Sequence, residues 1–315
     1  MHKVFCTAPF LRFMDDLCIP NNLDLQVSEY ATGDELLKGV ASSEALISNA
    51  RVKVESGLLV ENPELKMIYQ PSIGFDNIQK EVFDLVPKVS GLWEEFEFRS
   101  QNLTTAEHTL GLMLTASRRL HISMTDVVER GAWDNRAYRI QDLSKMTIGI
   151  VGLGFVGSGL ARVLGPLGCE ILACDPYVLE EKFSSLGVKK VSQEELLSRS
   201  NVVSYHTPLN DETRGLFGVN QLDYLRKGCI LVNCARGGIV NEDAVILGIE
   251  QGLIDTYATD VLIGEDPRGV ADHKLVEFAS NNSSVIISPH VGGSSYEYML
   301  SIFQLALDRT SAHLG

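Results

Sequence analysis

An arginine, an acid and a histidine, each just past a β-branched run, carry the chemistry legible in this sequence. Arg236 follows residues 229–234, Glu265 follows 257–261 and His290 follows 285–288. Open α/β sheets bind ligands outside the carboxyl ends of their strands, so the three residues converge on one crevice if these runs are neighbouring strands. An arginine fork matches a carboxylate and polarises an adjacent carbonyl. A histidine supplies or removes a hydroxyl proton near neutral pH, and a neighbouring carboxylate holds its ring and favours its charged form. Taken singly, each has a structural reading: a surface ion pair for Arg236, a solvated loop charge for Glu265, a capped loop residue for His290.

Their setting decides between these readings. The run Gly152-Leu153-Gly154-Phe155-Val156-Gly157 follows the apolar stretch 147–151 and opens a helical pattern. The first glycine permits a tight turn, the second lets backbone approach a pyrophosphate, and the third lets helix and strand pack closely. The helix start then turns free N–H groups toward the phosphates. Asp175 closes the next strand, 18 residues after Gly157. A carboxylate there accepts hydrogen bonds from both ribose hydroxyls of an adenosine and repels a 2′-phosphate, so NAD is expected in preference to NADP. Arginine, acid and histidine around a nicotinamide make a carbonyl-reducing site.

The elements that must position these residues alternate along the chain. Strands are expected at 3–6, 23–28, 45–48 and 67–70, with a helix over 34–40, and again at 147–151, 170–174, 201–206, 229–234, 257–261 and 285–288. Short β-branched runs alternating with helical patterns give an α/β fold class: two doubly wound parallel-sheet domains, the second a Rossmann dinucleotide-binding domain. Thr104 and Glu107 have capping-box spacing, so a connecting helix is expected to start there and end near 118–120. The tail 295–314 reads as one helix returning to the first domain. The domains are therefore expected at 1–101 plus 290–315, which binds substrate, and 102–289, which binds NAD.

Composition narrows the function classes. Forty-five per cent hydrophobic and 22% charged residues exclude disorder and low complexity. A net charge of −14 repels phosphodiester backbones and anionic lipid surfaces, which excludes nucleic acid and membrane as partners; a small anionic substrate then requires a local arginine pocket. Cys169, Cys174, Cys229 and Cys234 lack histidine neighbours and read as buried reduced thiols with no metal. With charges throughout residues 1–18 and no uninterrupted apolar span, neither a signal peptide nor a membrane span is expected, and a cytoplasmic protein is. Tyr69, Trp93 and Trp133 read as packing residues. His108 reads as packed or at a dimer interface, and the ring of His206 as a backbone cap.

The fingerprint with Asp175, together with His206-Thr207-Pro208-Leu209, Asn233-Cys234-Ala235-Arg236-Gly237, Asp260-Val261 and Ser288-Pro289-His290-Val291-Gly292-Gly293, resembles the D-isomer-specific 2-hydroxyacid dehydrogenase family, which includes phosphoglycerate dehydrogenase. The likeness extends to Ser72-Ile73-Gly74-Phe75-Asp76-Asn77-Ile78 and to 102–107. It implies a homodimeric NAD enzyme that interconverts small 2-oxo and 2-hydroxy acids, with Arg236 as carboxylate clamp, Glu265 as partner acid and His290 as general acid and base. It also implies NAD contacts at Gly152, Gly154, Phe155, Val156, Gly157, Asp175, Thr207, Cys234, Ala235, Asp260, His290, Gly292 and Gly293. Substrate contacts are implied at Ser72, Ile73, Gly74 and Asn102, the loop at 72–74 offering backbone N–H groups to the substrate carboxylate.

Two departures from the family pattern bear on this. The family glutamate usually precedes proline directly, whereas here Gly264-Glu265-Asp266-Pro267 stands; spacing from Asp260 selects Glu265 and adjacency to Pro267 selects Asp266, with the longer side chain favouring Glu265. The sequence stops at Gly315, so feedback control through an added regulatory domain is not expected. Arg51 follows the expected strand 45–48 and reads either as a contact to a distal substrate anion or as an exposed loop residue. With one arginine in that loop, hydroxypyruvate, glyoxylate and other 2-oxo acids stay open beside phosphoglycerate. A phosphite-dehydrogenase-like enzyme and an NAD-sensing corepressor-like scaffold also resemble this family.

Overall fold

A computed structural model describes residues 1–315 apart from 61, 63, 139–141 and 267–268. The chain divides into two compact units, Met1–Gln101 with Ser294–Gly315, and Asn102–Gly293. Among the described residues the first unit has five parallel strands, β1 (His2–Cys6), β2 (Leu23–Val27), β3 (Ala45–Ile47), β4 (Met67–Gln70) and β5 (Lys88–Gly91), in the order β2-β1-β3-β4-β5. Successive residues of one strand feed opposite cores. Phe5, Leu46 and Ile68 meet Leu36 and Val40 of the helix Gly33–Ala41 on one face. Val4, Cys6, Ala45, Ile47 and Tyr69 meet Phe303, Ala306 and Leu307 on the other. Both faces are covered, which is why these runs read as continuous apolar stretches. β5 was not expected: Lys88-Val89-Ser90-Gly91 is too short and mixed to carry a strand signal.

The tail forms the helix Tyr296–Leu314, capped by Ser295, whose hydroxyl accepts from Tyr298 N–H. It packs into the first unit's core, with the Phe303 ring 4.3 Å from Phe10 and 5.2 Å from Phe13. Arg309 grips the Glu95 carboxylate through both Nε (2.6 Å) and Nη2 (2.8 Å).

The second unit has seven parallel strands among its described residues: β6 (Thr147–Val151), β7 (Glu170–Cys174), β8 (Lys189–Lys190), β9 (Val202–Tyr205), β10 (Cys229–Asn233), β11 (Ile254–Thr259) and β12 (Val285–Ile287). Their order, β12-β11-β10-β9-β6-β7-β8, reverses direction between β6 and β9, the switch point of a Rossmann sheet. Ile150, Val202, Val232 and Ala258 face one core; Val151, Val203, Leu231 and Tyr257 face the other. β8 escaped the sequence reading because two exposed lysines on an edge have no apolar signature.

A helix cap and a domain boundary differ from expectation. The helix expected as a connector, Thr104–Ser117, covers the second sheet, burying Ala106, Met113 and Ala116 against Ile148 and Ile150. It begins at Thr104 itself, whose N–H donates to Asn102 Oδ1 at 3.1 Å, so Thr104 is not the cap that the capping-box spacing suggested. Residues 290–293 stay with the second unit, past the boundary expected at 289, because Val291 and Gly292 donate N–H bonds to Asp260. Trp133 is not a packing residue: it is 90% exposed, beyond a second helix, Leu120–Arg130. Among the described residues no helix is long and apolar enough to cross a membrane.

Phe303 is 1% exposed at the centre of the first core. Phe303→Ala is expected to destabilise the first unit by about 3–5 kcal/mol. Urea unfolding followed by circular dichroism checks this, and an unchanged midpoint would mean the tail helix is not part of that core.

Candidate active site

Six strands of the second sheet stop in line. Asn233 pairs with Thr259 and with Tyr205, Thr259 with Ile287, and Val151 with both Tyr205 and Cys174; each is the last residue of its strand. Their following loops therefore share one edge, which carries 152–157, Asp175, Thr207, 234–236, 260–265 and 290–293.

Beyond β6, Gly152 has φ +91°, and a Cβ at position 157 would lie 2.1 Å from the Gly152 carbonyl oxygen, so side chains are barred from this approach. Gly154 precedes the helix Phe155–Leu164, whose first turn, with Phe155, Val156 and Gly157, holds no acid. Asp175 Oδ2 accepts from Leu153 N–H at 2.8 Å and Oδ1 from Tyr177 N–H at 2.9 Å. Each oxygen keeps a lone pair for a further donor.

Beyond β9, His206 Nδ1 and Thr207 Oγ1 are buried without a hydrogen-bond partner among the described residues. Buried polar atoms are rarely left so, and a bound group would complete them. His206 Nε2 lies 2.8 Å from Ser204 Oγ, so the ring meets a side chain where a backbone cap was expected. Burial pushes His206 down to about 4, which keeps the ring neutral at neutral pH. A barred glycine turn, an acid-free helix start and orphaned polar atoms along one edge fit a dinucleotide. Cys234 follows β10, and burial pushes its thiol up to about 12. It is a neutral part of the wall.

The loops after β10, β11 and β12 carry Arg236, Glu265 and His290 on three adjacent strands. Glu265 Oε1 lies 2.5 Å from His290 Nδ1. Arg236 sits on the neighbouring loop, its backbone held where Asn233 Nδ2 donates to its carbonyl at 3.0 Å and its Nη1 donating to the Ala235 carbonyl at 2.8 Å. That loop presses on the Glu265 loop, since a Cβ at Gly237 would lie 2.1 Å from the Leu262 carbonyl carbon. Of the two acids that the spacing and the proline nominated, Glu265 makes the histidine contact. Pro267 lies outside the described residues.

His290 has φ +56°, a left-handed backbone that costs a residue with a side chain about 1–3 kcal/mol. Asp260 holds the segment in place. Its Oδ1 accepts from Ser288 Oγ (2.5 Å) and Val291 N–H (2.9 Å), and its Oδ2 from Gly292 N–H (2.7 Å). His108 Nε2 lies 3.0 Å from Ser288 Oγ and 3.3 Å from Asp260 Oδ1, so His108 is packed under this segment. Burial alone would raise the Asp260 carboxyl, but His108, Ser288 and the two N–H groups outweigh it and hold it below the ordinary carboxylate value. Asp260, expected as a cofactor contact, makes these bonds within the protein, and its Oδ2 carries one of them. Gly293 lies next to the Thr105 hydroxyl, which a Cβ there would approach to 3.8 Å.

The first unit carries the expected substrate residues Arg51, Ser72, Ile73 and Gly74, while Asn102 opens the second. Asn77 Nδ2 donates to the carbonyls of Asn49 (3.0 Å) and Val52 (2.7 Å), and so ties the loop with Ser72, Ile73 and Gly74 to the loop with Arg51. Gln70 Nε2 donates to the Gly74 carbonyl and to Asn77 Oδ1. Ser72 N–H donates to Gln70 O at 2.8 Å and is thereby taken up within the loop that was expected to present N–H groups to the substrate. Arg51 is exposed.

Sequence reasoning missed the supports. Gln70 and Asn77 are seven residues apart on a strand end and a loop. Glu242 and His273 hold Ile263, two residues before Glu265, from helix starts that carry no motif.

A family model described as D-isomer specific 2-hydroxyacid dehydrogenase, NAD binding domain, matches residues 110–292, more than half of the chain. The chain is 31% identical over 304 residues to a D-3-phosphoglycerate dehydrogenase of Archaeoglobus fulgidus, covering 95% of this chain and 55% of that one. It is 33% identical over 260 residues to the D-3-phosphoglycerate dehydrogenase of Bacillus subtilis, covering 82% and 47%. It thus spans about half the length of these relatives. The fold matches a D-lactate dehydrogenase from Aquifex aeolicus, solved with NAD and lactic acid, at a TM-score of 0.82 and 22% identity over 99% of this chain and 95% of that one. The chain therefore belongs to the D-isomer specific 2-hydroxyacid dehydrogenase family, and residues 110–292 make up its NAD-binding domain.

Proposed function

We propose that this chain is an NAD-dependent oxidoreductase that interconverts a small 2-oxo acid and the D-2-hydroxy acid. The observation that carries this reading is the contact of 2.5 Å between Glu265 Oε1 and His290 Nδ1, on the same sheet edge as the glycine turn and Asp175. When bound, the nicotinamide cofactor supplies or accepts the hydride. With Nδ1 committed to Glu265, His290 gives the substrate oxygen its proton from Nε2 in reduction and takes it back in oxidation. Glu265 fixes that tautomer and stabilises the protonated ring. Arg236 clamps the substrate carboxylate. Ile73 and Gly74 N–H groups, Ser72, Asn102 and Arg51 contribute further substrate contacts in this reading, and Asp175 takes the adenosine ribose. Six free thiols suit a reducing, cytoplasmic setting.

Purified protein is expected to oxidise NADH with at least one member of a panel of 2-oxo acids including hydroxypyruvate, glyoxylate and 3-phosphohydroxypyruvate. His290→Ala should abolish this. Arg236→Lys should lower kcat/KM roughly tenfold or more, the loss of about one charge-assisted hydrogen bond worth ~1.5–3 kcal/mol. Wild-type parameters in Arg236→Lys would remove the clamp role. No turnover with any 2-oxo acid would reject the 2-hydroxy acid reading, and NAD reduction by phosphite would replace it.

Reduction needs the proton on His290, so its rate is expected to fall as pH rises through the titration of that ring, with oxidation gaining over the same interval. Glu265→Gln removes the charge that favours the imidazolium and should move this interval to lower pH while cutting the rate by up to about 10². A pH–rate profile unchanged in Glu265→Gln would separate the acid from the histidine.

The reading includes a homodimer. Met124, Val128 and Trp133 are 65%, 85% and 90% exposed and line one apolar hollow with Val127 and Tyr138. Size-exclusion with light scattering should give a dimer for the wild type and a shift toward monomer for Val128→Glu. A monomeric wild type would overturn it.

A further inference from the structure

Ile263 is held from both sides. Its N–H donates to Glu242 Oε1 at 3.1 Å, and its carbonyl lies 3.0 Å from His273 Nε2. The two gripping side chains are 11% and 15% exposed, with Glu242 Oε2 3.5 Å from the same histidine nitrogen. His273 Nδ1 accepts from Leu275 N–H at 3.3 Å, so the ring proton resides on Nε2, where it donates to Ile263. Burial holds the Glu242 carboxyl above its ordinary value against the pull of Ile263 N–H and His273, with Asp243 raising it further and Lys274 lowering it.

Both gripping residues stand on regular structure. Glu242 opens the helix Glu242–Glu250, and His273 caps the helix Lys274–Ser280. From the gripped residue the chain turns at Gly264, in the left-handed region at φ +68°, and reaches Glu265. Glu265 Oε2 then lies 3.5 Å from Leu262 N, back across the turn, and Oε1 faces His290. The turn hangs from the Ile263 grip at one end. A loop acid that must stay within hydrogen-bond reach of a ring needs such an anchor, because a displacement of about 1 Å at a reacting group can cost on the order of 10² in rate.

We propose that Glu242 and His273 are positioning residues, which by gripping Ile263 on both sides set Glu265 at its distance from His290. This rests on the reading of Glu265 and His290 as the acid–base pair. Neither residue touches substrate or cofactor in this scheme; both act through Glu265.

The test uses the full chain with NAD bound and histidine labelled with carbon-13, following the His290 ring signal across pH in the wild type, Glu242→Ala, Glu242→Gln and Glu265→Gln. Glu242→Gln keeps an oxygen for Ile263 N–H, and Glu242→Ala does not. Glu242→Ala is expected to move the His290 titration to lower pH, in the direction of Glu265→Gln, and Glu242→Gln to stay near the wild type. In turnover, Glu242→Ala should lower kcat for reduction roughly tenfold or more, with the 2-oxo acid KM within about twofold. A merely structural role would lower the melting temperature and leave the titration in place. An unmoved His290 titration in Glu242→Ala overturns the proposal, whatever the activity. An unmoved titration in Glu265→Gln overturns the acid–base pair itself. His273→Leu, with His273→Gln as the donor-keeping control, carries the same measurement if Glu242→Ala does not fold.

Discussion

A carboxylate can hold an imidazole in one tautomer only if two separate loops deliver them to within a hydrogen bond, and the parallel sheet meets that demand. Glu265 and His290 are 25 residues apart, yet they follow adjacent strands that end in register at Thr259 and Ile287. Adjacent strands lie about 4.8 Å apart, so side chains from their following loops meet without any closeness in sequence. Arg236 adds a third neighbour by the same device, since Asn233 ends level with Thr259. The left-handed backbone at His290 is the local cost of aiming the ring. Two N–H groups just past it, bound to the buried Asp260 carboxylate, offset that cost.

The sequence disclosed what this geometry makes periodic or local. Parallel strands buried on both faces wrote themselves as apolar runs, and the glycine turn with Asp175 is a local pattern with one physical use. β5 and β8 went unseen because Lys88–Gly91 and Lys189–Lys190 lack an apolar run, and pairing with a neighbour is what makes them strands. Asp260 was legible as a strand-end acid, and its clasp on the loop after β12 was not. Nothing local in the sequence says that a strand-end aspartate holds its neighbours, because that depends on the positions of Ser288, Val291, Gly292 and His108. Trp133 misled for the opposite reason: a large aromatic is usually buried, and nothing local says that the turn after Arg130 points it outward.

Charge poses the remaining problem, because a chain of net −14 that binds a pyrophosphate and, in the proposed reaction, an anionic acid must cancel its own field at one edge. The helices Glu180–Ser185, Gln193–Arg199 and Glu242–Glu250 each carry two acids in the first turn, which satisfies their own amino-terminal dipoles. The helix Phe155–Leu164 carries none and has no side-chain cap, so the positive end of its dipole is left for an external anion. Further along the edge, burial keeps His206 and Cys234 neutral at neutral pH, so neither adds charge to the wall. Asp260 does keep its charge, but spends it on four donors within the protein. In the proposed reaction the Arg236 guanidinium supplies the remaining positive charge, its fork meeting the substrate carboxylate against the molecule's overall potential.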